Sequence, residues 1–290
     1  MTGIVVVGDA ALDVIARHDK PLPHGGDARA KIRFTGGGSG ANTALWLRSL
    51  DADTTLLARI GDDPGGRLIK AELEAAGVRC AFAVDPDAPT CCVVVMVDAT
   101  GQRSMLADRG ANQRFAPGDV TPESLAGAGH LHLSGYVLLD PPSRAAGLAA
   151  LTLARELGLT TSVDPQAAAH ITDPAAFLDD VRGVDLLMPN TEELVALTGS
   201  ADPAAAKELL AAVGAVVVTA GLNGASWVDD GGVTSVPAIE ADCVDSTGAG
   251  DAFDAGVLTG WLAGESTVDV LRRGVRLGAL AVGKVGPQPG

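Results

Sequence analysis

The chain has 290 residues, 47% of them hydrophobic, which is enough for one sizeable core with an accessory lobe and does not require two independent domains. Twenty-one basic residues against 36 acidic ones leave a net charge of −15, which repels nucleic acid and anionic membranes and points to small-molecule partners. No stretch approaches the roughly 18 uninterrupted apolar residues of a membrane span, and the apolar run at 4–7 is too short and lacks the basic flank of a secretory leader, so a cytoplasmic protein is expected.

In chain order, a β-branched strand at 4–7 is followed by a polar, extended stretch at 14–35 with a Gly25-Gly26 turn. A helix at 41–50, a strand at 54–59 and a helix at 65–76 come next. The second extended stretch, 89–115, also lacks helical period. Beyond it the pattern predicts strands at 130–133, 159–163, 186–188 and 216–219, and helices at 143–157, 191–198, 204–213, 250–263 and 268–282. The strands show little polar alternation, so both sheet faces should be covered. The two extended stretches flank a βα unit, which suggests a small β lid inserted into a single α/β domain spanning 1–290. The four cysteines, Cys80, Cys91, Cys92 and Cys243, have no zinc-type spacing and read as reduced thiols. The five histidines form no ligand spacing with nearby carboxylates.

The segment at 245–251, Asp-Ser-Thr-Gly-Ala-Gly-Asp, carries the most chemistry. Small or apolar residues at Ala249, Ala252, Phe253, Gly256, Val257, Gly260 and Trp261 place a helix start near Gly248. Gly248 and Gly250 cost helix stability, and their compensating use is to let free backbone amides approach an anion. Asp251, in the first turn beside that cradle, is placed to accept the proton of an attacking hydroxyl. The helix dipole should lower its pKa. The plainer account is an ordinary start with Thr247 as N-cap, which leaves two first-turn glycines unexplained.

This segment resembles the C-terminal signature of the ribokinase-like (PfkB) sugar kinases, and the run at 36–42, Gly-Gly-Gly-Ser-Gly-Ala-Asn, resembles their N-terminal one. Asp13, the run at 108–112, the run at 189–193 and the Val-Thr-Ala-Gly run at 218–221 follow in family order over nearly the whole chain. The resemblance implies a ribokinase-like three-layer α/β/α core with a β-strand lid. It also implies transfer of the γ-phosphoryl group of ATP to a hydroxyl of a small sugar, a pentose or ketohexose. Asp251 would be the base and Gly248, Ala249 and Gly250 the anion hole. Asn190 and Glu193 would serve Mg2+ and phosphate, Thr219 and Gly221 the nucleotide, and Asp13, Gly38 and Asn42 the sugar hydroxyls. Asp245 and Thr247 fall where family members bind a monovalent cation such as K+. A homodimer formed through the lid is a further expectation.

Rival readings follow from single features. Gly36-x-Gly38-x-x-Ala41 satisfies a dinucleotide fingerprint, but it follows the lid segment rather than the first core strand, which argues against an NAD enzyme. No Walker lysine motif occurs. Asn190 and Glu193 also spell a capping box. A non-catalytic sugar-binding protein would not need the complete Gly-Ala-Gly-Asp turn. For the acceptor, Asp13 and Asn42 suit a free polyol. A nucleoside would need an aromatic platform, and only Phe34 and Phe115 supply one in the lid segments. A sugar phosphate is the stronger competitor: Arg17, Lys20, Arg29, Lys31 and Arg33 outnumber Asp19 and Asp27 in the first segment, with Arg103 and Arg109 in the second. The expectation is nonetheless a free sugar, with these bases on solvated strand faces that blunt the lid's edges.

Overall fold

The computed structural model describes residues 3–20, 23–100 and 102–289, and the side chain of Arg103 lies outside the described residues. In chain order the strands are β1 (Gly3–Val7), β2 (Ala11–Arg17), β3 (Lys31–Gly37), β4 (Thr54–Gly61), β5 (Arg79–Asp85), β6 (Cys91–Val97), β7 (Arg103–Asp108), β8 (Ala128–Ser134), β9 (Thr160–Asp164), β10 (Leu186–Leu187), β11 (Ala215–Thr219), β12 (Ala225–Asp229) and β13 (Gly232–Val236). The α-helices are α1 (Ser39–Ser49), α2 (Pro64–Ala75), α3 (Tyr136–Leu139), α4 (Arg144–Glu156), α5 (Pro174–Asp180), α6 (Thr191–Thr198), α7 (Ala249–Leu262) and α8 (Thr267–Val282).

The large sheet runs β13-β12-β11-β10-β9-β8-β1-β4-β5. From β11 to β5 all neighbours are parallel, and the β12–β13 hairpin adds two antiparallel strands at one edge. The period of two divides each strand between two cores. Ile4 and Val6 face a cluster with Ala41, Ile69, Phe253 and Leu271 of α1, α2, α7 and α8. Val5 and Val7 face a second cluster with Leu151, Phe177 and Leu194 of α4, α5 and α6. Three layers result, and the ends of the parallel strands open a crevice of the kind in which α/β folds bind ligands.

The lid is a separate four-stranded sheet, β3-β2-β6-β7. It begins at Ala11, three residues earlier than expected, so Asp13 belongs to a lid strand. The helix expected at 204–213 is a run of 3-10 turns over Pro203–Ala211, opened by Asp202 accepting from the Ala204 amide. Nothing in its composition separates it from an α-helix. Among the described residues no helix is long and apolar enough to cross a membrane. Cys80, Cys91, Cys92 and Cys243 are free thiols.

Candidate active site

Two helices begin at the site without a side-chain cap. The N-cap of α7 is Gly248, with φ of 74°, and no side-chain cap bond forms there. A Cβ on Gly248 would lie 2.6 Å from Pro287, so only glycine fits. At Gly250, in contrast, a Cβ would meet nothing within 4 Å: the turn is open on that side. In the first turn of α7 the Ala249 amide donates to the Ser246 carbonyl at 3.3 Å, while the Gly250 and Asp251 amides meet no carbonyl one turn back. The N-cap of α1 is Gly38, with φ of 92°, also without a side-chain cap; a Cβ there would lie 2.6 Å from the Asp9 carbonyl. The tail beyond α8 pins this region, since the Trp46 indole donates to the Pro287 carbonyl at 2.8 Å and the Gln288 amide donates to the Gly36 carbonyl at 2.7 Å.

Asp251 is buried between these helix starts. Its Oδ1 accepts from Ser39 Oγ at 2.6 Å and from Thr43 Oγ1 at 3.4 Å, and its Oδ2 accepts from Asn42 Nδ2 at 3.1 Å. Positions 39, 42 and 43 share one helical face, so α1 grips the carboxylate along a single stripe. Burial pushes Asp251 up to about 6 in spite of these donors. This corrects the sequence expectation: the dipole of one helix start is outweighed by loss of water. Asn42 Oδ1 remains buried without a hydrogen-bond partner. Asp13 accepts no hydrogen bond among the described residues and is pushed up to about 6 by burial.

Asp251 also lines a polar cavity of ≈ 170 Å³, together with Asp164, Asn190, Glu193, Thr219, Gly250 and Asp254 among others. Asn190 and Glu193 form the capping box in full: the Asn190 amide and Nδ2 donate to Glu193 Oε2 and Oε1 at 2.8 and 2.7 Å, and the Glu193 amide donates to Asn190 Oδ1 at 2.9 Å. Glu193 is nevertheless pushed up to about 7 by burial. Asp164 and Asp254 are held well above the carboxylate range by burial first, then by neighbouring charge: Glu193 and Asp251 raise Asp164, and Asp164, Asp251 and Glu193 raise Asp254. Gly248 joins this lining, Ala249 is half-buried behind it, and Gly221 sits on an exposed turn two residues past Thr219. Asp245 is buried, with its oxygens accepting from the Thr247 and Gly286 amides at 2.8 and 2.9 Å. The side chain of Arg103 lies outside the described residues.

Sequence reasoning missed Ser39 and Thr43, although both lie in or beside the glycine-rich run, and it missed Asp164 and Asp254. The available signals were an acid at the carboxyl end of a core strand and an acid one helical turn after Asp251. Gln166, with φ of 72°, is a third, and its amide donates to Asp164. Arg109 is committed elsewhere: it pairs bidentately with Asp9, reaches Asp140 at 3.5 Å and lies over the Tyr136 ring at 5.1 Å. His130 and His132 are buried and share Ser162 Oγ at 2.8 Å each.

The sequence profile of the pfkB family carbohydrate kinases matches residues 1–290. The chain belongs to this family. It is 31% identical over 290 residues to an ATP-dependent ribose-1-phosphate kinase of Halopiger xanaduensis, covering 99% of this chain and 94% of that one. A fructokinase of Klebsiella pneumoniae is 31% identical over 268 residues, covering 89% and 83%. Among solved structures, adenosine kinase from Sinorhizobium meliloti superposes with a TM-score of 0.89 at 26% identity, covering 99% and 96%. As a member of the pfkB family the chain is a carbohydrate kinase with the ribokinase-like fold.

Proposed function

We propose that this kinase moves the γ-phosphoryl group of ATP onto a hydroxyl of a small sugar held between Asp13, Gly38 and Asn42. One observation carries the reading: Asp251 lines the polar cavity with Gly248 and Gly250 while its carboxylate is gripped by α1, the helix that bears Asn42. It is therefore the group shared by the phosphate side and the acceptor side. The acceptor oxygen attacks the γ-phosphorus, its proton passes to Asp251, and the bond to the ADP oxygen breaks. Charge that develops on the phosphoryl oxygens meets the α7 turn, Gly248 to Gly250, whose Gly250 amide has no backbone acceptor and is already oriented, needing no reorganisation. A carboxylate near pKa 6 is a better base than an ordinary aspartate and is still ionised at neutral pH.

Nucleotide contacts fall to Asn190, Thr219 and Gly221. The cavity holds Asp164, Glu193, Asp251 and Asp254 with no cation among them, and burial raises each, so a positive charge is what the site lacks. That fits Mg2+ entering with ATP, which would neutralise the phosphate oxygens. Among the described residues no three His, Cys, Asp or Glu side chains converge as direct ligands, so Glu193 would act through water. Asp245 and Thr247 would build a K+ site beside the anion hole.

The relatives are named for a pentose phosphate, a ketohexose and a nucleoside. Against a nucleoside, Phe34 is 61% exposed on the lid's outer face and Phe115 is buried in the core, so neither offers a stacking platform. That outer face also exposes Ile32 and Leu106, and we place the contact between two copies of the chain there. The reading is tested by ATP consumption across pentoses, hexoses, their phosphates and nucleosides, with Mg2+ present or chelated and K+ exchanged for a bulky organic cation. Turnover on a sugar that requires Mg2+ is expected, and ATP consumption by no acceptor would sink the reading. Equal rates in the two monovalent cations would remove only the K+ site.

A further inference from the structure

The strand register of the lid sorts its charged side chains in a way that composition does not show. β2 pairs antiparallel with β3 and parallel with β6, and β6 pairs antiparallel with β7, so partners in each rung share a face. Asp13 pairs with Thr35, Ile15 with Arg33, and Arg17 with Lys31. All of these odd-numbered positions lie on the face that carries Asp13, the inner face. The other face of the same strands carries Val14, Ala16, Ile32, Phe34, Val94, Met96 and Leu106, with Asp108 its one charge among the described side chains. Arg17, Lys31 and Arg33 are thus neighbours, and none forms an ion pair among the described residues. Their nearest same-face acid on these strands is Asp13 itself.

Two simpler explanations do not account for the whole set. Blunting of edge strands fits Lys31 and Arg33, which lie on the edge strand β3, but not Arg17, which lies on β2, an interior strand of the lid. Solubility would put charges on the outer face, yet that is where Ile32, Phe34 and Leu106 stand 58%, 61% and 62% exposed. In a chain of net charge −15, three cations without an ion pair among the described residues stand on the lid face that carries Asp13.

We infer that the acceptor is a sugar that already carries a phosphate ester, seated with its hydroxyls at Asp13 and its phosphate on Arg33, Arg17 and Lys31. Arg33 stands one pleat period, about 7 Å, beyond the Asp13 rung, the separation between a sugar hydroxyl and an ester across the ring. The rung of Arg17 and Lys31 lies a second period on, about 13 Å from the Asp13 rung, so Arg33 is the nearest cation, with the long side chains of Arg17 and Lys31 reaching back toward it. A guanidinium there makes the charge-assisted, bidentate contacts that phosphate favours. The ATP phosphates do not compete for this place, because no residue of the lid strands lines the polar cavity beside the α7 turn. The inference rests on the kinase reading above and deepens it.

The test compares kcat/KM for ribose with ribose 1-phosphate and ribose 5-phosphate, and for fructose with fructose 1-phosphate and fructose 6-phosphate. At least one ester should exceed its parent sugar by about 100-fold or more. The ester-to-sugar ratio should fall roughly 10- to 100-fold in Arg33→Gln, chiefly through KM, as expected for loss of one bond to a charged group. It should fall further when Arg17→Gln and Lys31→Gln are added. Arg29→Gln, a cation on the loop before β3, should leave the ratio unchanged. Preference for free sugars, or an ester preference that survives the triple variant, overturns the inference and leaves the kinase reading standing. If no acceptor is phosphorylated, the kinase reading fails, and calorimetry of ester binding to the parent and triple variants still decides the lid: equal heats, or none, overturn it.

Discussion

Asp251 occupies a first-turn position that should favour its anion, yet it ends near pKa 6 because α1 and the lid root strip away its water. Asp251→Asn keeps the shape and can still receive one donor, so it should fold and bind ATP with nearly unchanged affinity while kcat falls by roughly 10²–10⁴. Steady-state kinetics with equilibrium ATP titration checks both halves, and near-normal kcat in a folded variant removes Asp251 as the base. The sign of the pH dependence follows directly. The base must be unprotonated to act, its protonated fraction grows below about 6, and so kcat/KM should drop as pH falls through 6 and level off above it. A profile flat down to pH 4.5 would contradict the raised pKa. That Asp251 stands in the first turn of a glycine-led helix was legible in the sequence; its pKa was not, because its partners Ser39, Asn42 and Thr43 lie on α1, far away in the chain.

At the scale of elements, the two glycines of the α7 turn have different work, and substitution separates them. Gly248 is required by backbone: with φ of 74° and Pro287 2.6 Å from any Cβ, Gly248→Ala should cost on the order of 1–3 kcal/mol and lower Tm. Gly250 has open space, so Gly250→Val should leave Tm nearly unchanged and suppress turnover at saturating acceptor, because the new branches fill the place of the phosphoryl group. Thermal melts beside kinetics decide it, and a Gly250→Val protein with ordinary kcat would reduce the turn to a plain helix start. Helix starts and the central strands could be read from sequence because their signals are local. The β12–β13 hairpin escaped notice although Asp229-Asp-Gly-Gly232 is turn chemistry, since its strands alternate too weakly to advertise themselves. The lid's existence was legible as missing helical period, whereas its sorting into a cationic and an apolar face depends on register, which is fixed only by pairing.

For the whole molecule, a large negative charge keeps copies apart, and an apolar lid face must overcome that repulsion for two to meet. Sedimentation velocity should find a dimer, more populated at high salt, that Phe34→Glu converts to monomer; a monomer at all salt concentrations in the parent chain would discard the contact. The helices α1 and α7 meanwhile begin on bare glycines that no side chain caps. Apart from Ala41 and Ala249, whose amides donate to the Asp9 and Ser246 carbonyls, their leading amide protons are left to water until an anion takes them, so in heavy water these few positions should take up deuterium early. A bound nucleotide would then be visible as a slowing of isotope uptake at 250–251, a clock on site occupancy that requires no chemical turnover.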